Sequence, residues 1–279
     1  YRWRPRPITL AGLALFSLFS YPGGRGLILG QVSHLVYFLQ VLALWALVKN
    51  RDRLAGFALA CSTFKPQMGV LFVPLLLLWA LSQRRWRLIV AFSVTLLILI
   101  AASFLLQPDW VQGFWYQITL YPTYIEVSTP AWVMTQYWLN LGSTVELIVN
   151  IVAYLGVLWT WFELFIRRYP ERFLWTVMIA LTVTHLVGLR TASPHFVVFT
   201  IPLIFYLHNL AKRRKGGQMA LLLLALWLLP WLHFLLTIGG NKFEHPTVFL
   251  PLPILTLIAL IVTRRRWWSA PSLTDTQQS

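Results

Sequence analysis

Four cations stand apart from the other nineteen in this chain and have the chemistry to meet an anion: Arg25, Lys65, Arg190 and Lys242. Lys65 carries the sharpest signal. It sits in Phe64-Lys65-Pro66-Gln67, near the middle of an apolar stretch over 54–81. A cation in hydrocarbon is costly and survives by facing a partner inside the bundle. Pro66 donates no backbone hydrogen bond, so a helix should kink or break there. Lys and Arg supply both charge and donors to a phosphate in a low-dielectric setting. Each cation alone also fits a snorkelling residue at a segment end, a reading that suits Arg25 and Lys242 better than Lys65.

Two further polar sets lie beside segment breaks. Gly30-Gln31 precedes Ser33 and His34 near the start of an apolar run. Arg190-Thr191-Ala192-Ser193-Pro194-His195 joins two apolar segments, with Pro194 fixing a turn and His195 entering the next helix. His195 can bind a phosphate, orient a sugar hydroxyl, shuttle a proton, or simply satisfy its own hydrogen bonds. His185, His208 and His233 lack such a context and read as structural. The single cysteine, Cys61, reads as a small buried hydrophobe. No metal-ligand spacing, P-loop, Gly-x-Ser-x-Gly or dinucleotide fingerprint is present. No cofactor is expected.

The elements that must position these residues are membrane segments. Of 279 residues, 58% are hydrophobic and only 11% charged, which a soluble domain of this size could not bury. The apolar runs are 8–20, 27–48, the interrupted 54–81, 88–106, 144–166, 173–189, 196–210, 219–238 and 247–263. The expected fold is an all-α polytopic transmembrane bundle of about 8–10 membrane segments. One domain spans 1–268, followed by a disordered cytoplasmic tail over 269–279.

The net charge of +15 does not signal nucleic acid. Nineteen of the 23 Lys and Arg fall in six short clusters between apolar runs, at 2–6, 49–53, 84–87, 167–172, 212–215 and 264–266. That is the positive-inside pattern, so the charge reports orientation in an anionic-lipid membrane. Placing all six clusters in the cytoplasm requires 54–81 to enter and leave from one side. As one helix its 28 residues would span about 42 Å, too long for an ordinary pass. Two half-length arms meeting at Lys65-Pro66 satisfy both facts; a single long tilted helix is the alternative. The extracytoplasmic side then receives 21–30, 107–143, 190–195 and 239–246. The stretch 107–143 has no Lys or Arg but carries Trp110, Trp115, Tyr116, Tyr121, Tyr124, Trp132, Tyr137 and Trp138, with Asp109 and Glu126 as its candidate carboxylates. Such aromatics suit the membrane interface and also stack on sugar rings.

This spaced series resembles glycosyltransferase family 87, integral-membrane enzymes of the GT-C type that include polyprenol-phosphate-mannose-dependent α-1,2-mannosyltransferases. The likeness rests on Gly30-Gln31 before an apolar helix, Leu54-Ala55-Gly56 after a basic turn, and Lys65-Pro66-Gln67. Arg84-Arg85-Trp86-Arg87 and the later Ser193-Pro194-His195 also fit; the match is dense over about 20–90 and looser beyond. The resemblance implies a GT-C bundle in a bacterial plasma membrane that acts at the extracytoplasmic face. It would transfer a hexose, with inversion, from a lipid-linked sugar phosphate to a lipid or glycan acceptor. Lys65 takes the phosphate role, supported by Arg190 or His195, with Gln67, Gln31 and Arg25 as further candidate binding residues. Enzymes of this type carry a catalytic Asp in the first extracytoplasmic loop, and no acid precedes Arg25 here. The expectation is that the base lies upstream of Tyr1 in a longer reading frame, with Asp109 or Glu126 as the fallback. The competing readings are a lipid-linked-sugar flippase, for which internal inverted repeats are not seen, and a non-catalytic assembly subunit.

Overall fold

The computed structural model describes residues 7–124, 129–188, 191–213, 215–238 and 244–268, with the side chains of 121–124 left aside. Among them there are helices and turns and no strand. The helices are α1 (Pro7–Phe19), α2 (Tyr21–Ile28), α3 (Ser33–Val48), α4 (Asp52–Cys61), α5 (Phe72–Ser82), α6 (Trp86–Leu106) and α7 (Trp110–Tyr124). They continue as the single turn α8 (Pro130–Trp132), α9 (Gly142–Phe165), α10 (Phe173–Val187), α11 (Thr200–Lys212), α12 (Gly216–Thr237), α13 (Pro251–Val262) and α14 (Arg264–Trp268). Four helical stretches are long and apolar enough to cross a membrane: Trp86–Leu106, Gly142–Phe165, Ser193–Lys212 and Gly216–Thr237. The all-α membrane bundle expected from composition is therefore the fold.

The run over 54–81 is broken where its chemistry requires. α4 ends at Cys61, two 3-10 turns cover Ser62–Phe64 and Pro66–Met68, and α5 begins at Phe72. Between the turns Lys65 adopts φ −127° and ψ 79°, outside the helical region. The Pro66 ring disfavours helical backbone in the residue before it, which accounts for this conformation. The carbonyls freed at the end of α4 are met locally: Ser62 Oγ donates to the Leu59 oxygen and Thr63 Oγ1 to the Ala60 oxygen, each at 2.7 Å. From α3, Gln40 Nε2 donates to the Met68 oxygen at 2.9 Å. A helix break inside an apolar bundle persists only when its backbone groups are satisfied in this way.

Both arms of the break return to one end of the bundle. Arg85, just after α5, donates through Nη1 to the Leu47 oxygen at 3.1 Å and pairs with Asp52 at the start of α4. The α3–α4 and α5–α6 turns are thereby tied together, as the two-armed reading of 54–81 requires and the single tilted helix does not. At another basic turn Arg172 pairs with Glu163 at 2.6 Å.

Small residues set the spacing of the arms. α4 buries Ala55, Gly56, Ala58 and Ala60, and it packs along α6. A Cβ on Gly56 would press into the Leu88 carbonyl oxygen and come within 2.8 Å of the Phe92 nitrogen. In lipid, where apolar burial between helices gains little, such backbone approach is the source of association. α10 is the hub: almost every residue from Phe173 to Val187 is buried, as expected of a helix that is apolar all round. By contrast α6, α9 and α12 leave most of their large apolar side chains outward, where lipid solvates them.

The structure also redraws two stretches. The apolar run over 27–48 is split, because Leu27 and Ile28 belong to α2 and the chain turns at Gly30, whose φ of +60° suits glycine. The stretch over 107–143 contains α7, α8 and a π-helical turn Val133–Trp138. The basic cluster at 2–6 and the tail over 269–279 lie outside the described residues.

Candidate functional site

The end of the bundle opposite the tied basic turns carries a polar shelf. Four elements meet there: α2, the start of α3, the tip between α4 and α5, and the 3-10 segment Ser193–Phe199 that leads into α11. A small apolar core seals its underside, formed by Tyr21, Val36, Met68, Phe196, Val198, Phe199, Phe234 and Phe249 among others.

Lys65 occupies the tip, half-buried. Its Nζ donates to Gln31 Oε1 at 2.6 Å and to Ser33 Oγ at 3.1 Å. The Gly30 turn and the N-terminus of α3 present those two oxygens, so the Gly30-Gln31 motif and the Lys65-Pro66 motif form one constellation. Both partners are neutral. Among the described residues no carboxylate lies within ion-pair distance of Lys65. An ammonium has three donors and a full charge; here two donors are used and the charge is uncompensated. Gln67 follows on the next turn, half-buried.

His195 reaches the same region from the other side. It is 3% exposed, and its Nδ1 accepts from the Ala192 backbone N–H at 3.2 Å, with Thr191 Oγ1 also at 3.2 Å. The Pro194 turn thus locks the imidazole by its own backbone. Lys65 lies within electrostatic reach of His195 and also of His185, near the end of α10. The two imidazole rings stand 6.2 Å apart, edge to face. His185 read as structural from its sequence surroundings; the fold places it against His195. Only its position one turn before Gly188 and the Arg190–His195 motif hinted at this.

Arg25 stands on the shelf in a different state. Its Nε meets Glu244 Oε1 at 2.5 Å, and its guanidinium lies 4.9 Å from the Phe234 ring centroid. Ser193 Oγ donates to the same Glu244 oxygen at 2.7 Å. Glu244 therefore clamps α2 to the turn that carries His195. Tyr21, at the start of α2, is held protonated: burial pushes its phenol up, and the Glu244 charge adds to the effect. Expected as a phosphate ligand, Arg25 already has an anion. Glu244 was missed at the sequence level, although with only eight acids in the chain each loop carboxylate is informative.

Of the two fallback bases only Asp109 is among the described residues. Asp109 is exposed in the turn before α7, with its backbone oxygen accepting from the Gly113 N–H at 3.1 Å. Glu126 lies outside the described residues, as do Arg190 and Lys242. On α7, Trp115 and Tyr116 are exposed, in keeping with either an interfacial or a sugar-stacking role. Among the described residues no His, Cys, Asp and Glu grouping could hold a metal ion.

The arrangement can bind an anion at Lys65 and orient neutral hydroxyls through imidazoles beside it. The family model that matches is glycosyltransferase family 87, over residues 1–188. No curated protein and no solved structure matches.

Proposed function

The chain belongs to glycosyltransferase family 87, and from that premise we propose that it moves a hexose from a polyprenyl-phosphate sugar to an acceptor hydroxyl. The family likeness favours mannose as the sugar and inversion at its anomeric carbon. The six basic clusters favour an orientation with the shelf on the extracytoplasmic side, and the family likeness favours a bacterial plasma membrane. A lipid-linked donor reaches that level from within the bilayer, and an acceptor lipid or glycan reaches it from the aqueous side.

The observation that carries the reading is Lys65, a half-buried cation held by two neutral oxygens at a helix break. In the transfer, the bond from the anomeric carbon to the donor phosphate breaks and negative charge grows on the departing lipid phosphate. Lys65 meets that charge in a site of low polarity, where a fixed donor is worth more than in water. Gln31 and Ser33 hold the ammonium so that little reorganisation is needed. Gln67 and His195 supply further donors around the sugar phosphate. A carboxylate is required to take the acceptor's proton. Glu244 is ill suited, because Arg25 and Ser193 already occupy its carboxylate oxygen. Its role is to hold the shelf together.

The test is transfer of radiolabel from polyprenyl-phosphate hexoses in membranes that contain the complete protein. Product is expected with a lipid-linked hexose alone and no nucleotide sugar. Failure with every hexosyl polyprenyl phosphate, in membranes where the protein is folded, would overturn the proposal.

A further inference from the structure

The hydrogen bonds of His185 and His195 fix their tautomers, and the two come out opposite. His185 Nδ1 lies 2.8 Å from the Leu181 carbonyl oxygen, one turn back on α10. A carbonyl only accepts, so this nitrogen carries the proton and Nε2 is left with a lone pair. His195 Nδ1 receives the Ala192 backbone N–H, which only donates. Here Nδ1 carries the lone pair, and the neutral ring bears its proton on Nε2.

Each imidazole thus turns one nitrogen to its own backbone and the other away from it. For His185 the outward nitrogen is the acceptor Nε2, on a ring packed against His195, Phe196 and Phe199. The residue is 1% exposed, and Nε2 is buried with no partner among the described residues. Such an atom normally finds a donor. For His195 the outward nitrogen is the donor Nε2–H. One donor and one acceptor, on rings whose centroids stand 6.2 Å apart, match a single hydroxyl group, which both accepts and donates. A phosphate oxygen only accepts and would leave His185 unmet.

We infer that the His195–His185 pair binds one hydroxyl of the donor's sugar, with His195 Nε2–H donating to it and the hydroxyl donating to His185 Nε2. The assignment rests on the hexosyl-transfer reading above and extends it. Lys65 holds the phosphate, and the imidazole pair reads which hexose is attached. His185 is then a specificity-determining residue that helps position the anomeric carbon over the acceptor.

The experiment compares the natural hexosyl polyprenyl phosphate with its monodeoxy analogues, using the complete protein in nanodiscs. In the wild type one analogue should lose about 10- to 100-fold in kcat/KM, the cost of a buried partner left unmet. His185→Phe, which keeps a flat ring among its aromatic neighbours, should lose a similar factor with the natural donor. It should then use that one analogue as well as the natural donor. Penalties that multiply independently for every analogue would overturn the inference and leave the pair to an ordered water. Should His185→Phe not fold, nitrogen-15 NMR of imidazole-labelled wild type decides. His185 must be protonated on Nδ1 and His195 on Nε2, and both outward nitrogens must shift on adding the hexosyl polyprenyl phosphate. Identical tautomers, or no shift with donor bound, would overturn it. If the wild type moves no hexose, the transfer reading fails by itself, and the same spectra still decide this one.

Discussion

Lys65 and Arg25 are two cations on one shelf, and the fold treats them oppositely. Arg25 is bound to Glu244, which also takes the Ser193 hydroxyl. Lys65 is held by Gln31 and Ser33, which carry no charge. A paired cation is a joint: its field is cancelled at short range, and its value lies in tying α2 to the His195 turn. A cation with neutral partners keeps its field, and under the proposed function that field is what meets the donor phosphate. Identity of charge therefore says little about role, whereas the partner says a great deal.

That contrast can be broken at several points. The largest effect is expected at Lys65. Lys65→Ala should lower transfer by about 10²- to 10³-fold, as for removal of a preorganised donor at a site of developing charge. Thermal stability should hold or rise slightly, since an uncompensated charge is removed. Radiolabel transfer and a melting curve on the same membranes check both parts, and near-normal transfer would remove Lys65 from the site.

The joint should behave in the reverse way. Glu244→Ala leaves Arg25 half-buried without its partner, a loss of about 2 kcal/mol after discounting the figure for a fully buried pair. The melting temperature should fall, and transfer should fall with it through loosening of the His195 turn. The double variant Arg25→Ala with Glu244→Ala should recover part of the stability, because neither charge is stranded. A double variant that melts below both single ones would show that the pair is not the joint described.

A smaller effect is expected from the crossing that carries the Lys65 tip. Gly56→Ala forces α4 away from α6 and should cost about 1–3 kcal/mol by overpacking. Transfer should fall only as far as folded protein is lost, without a change in KM for the donor. Gln31→Ala closes the series. Loss of one neutral hydrogen bond to a charged group should raise the donor KM by roughly tenfold, while the melting curve stays in place.

How much of this was legible in the chain depends on how local the cause was. The break at Lys65 was readable because Pro66 dictates it within two residues and because one cation in 28 mostly apolar residues stands out. The two-armed path was readable from basic clusters on both flanks, and the Arg85–Asp52 pair bears it out. The helix in 107–143 and the separate α2 were not readable. Aromatic interface residues have no strong helical stripe, and the Gly30 turn hides inside a continuous apolar run.

Sequence by itself determined the class of fold and the residue at which the membrane segment breaks. These follow from solvation and from the backbone of proline, which act over a few residues. Only the tertiary structure decided what each polar group meets. Arg25 and Glu244 are 219 positions apart, Lys65 and Gln31 are 34, and no local rule couples them. The same holds for the opposed tautomers of His185 and His195, since each is fixed by its own backbone but acquires a meaning only when α10 and the Ser193–Phe199 segment pack side by side.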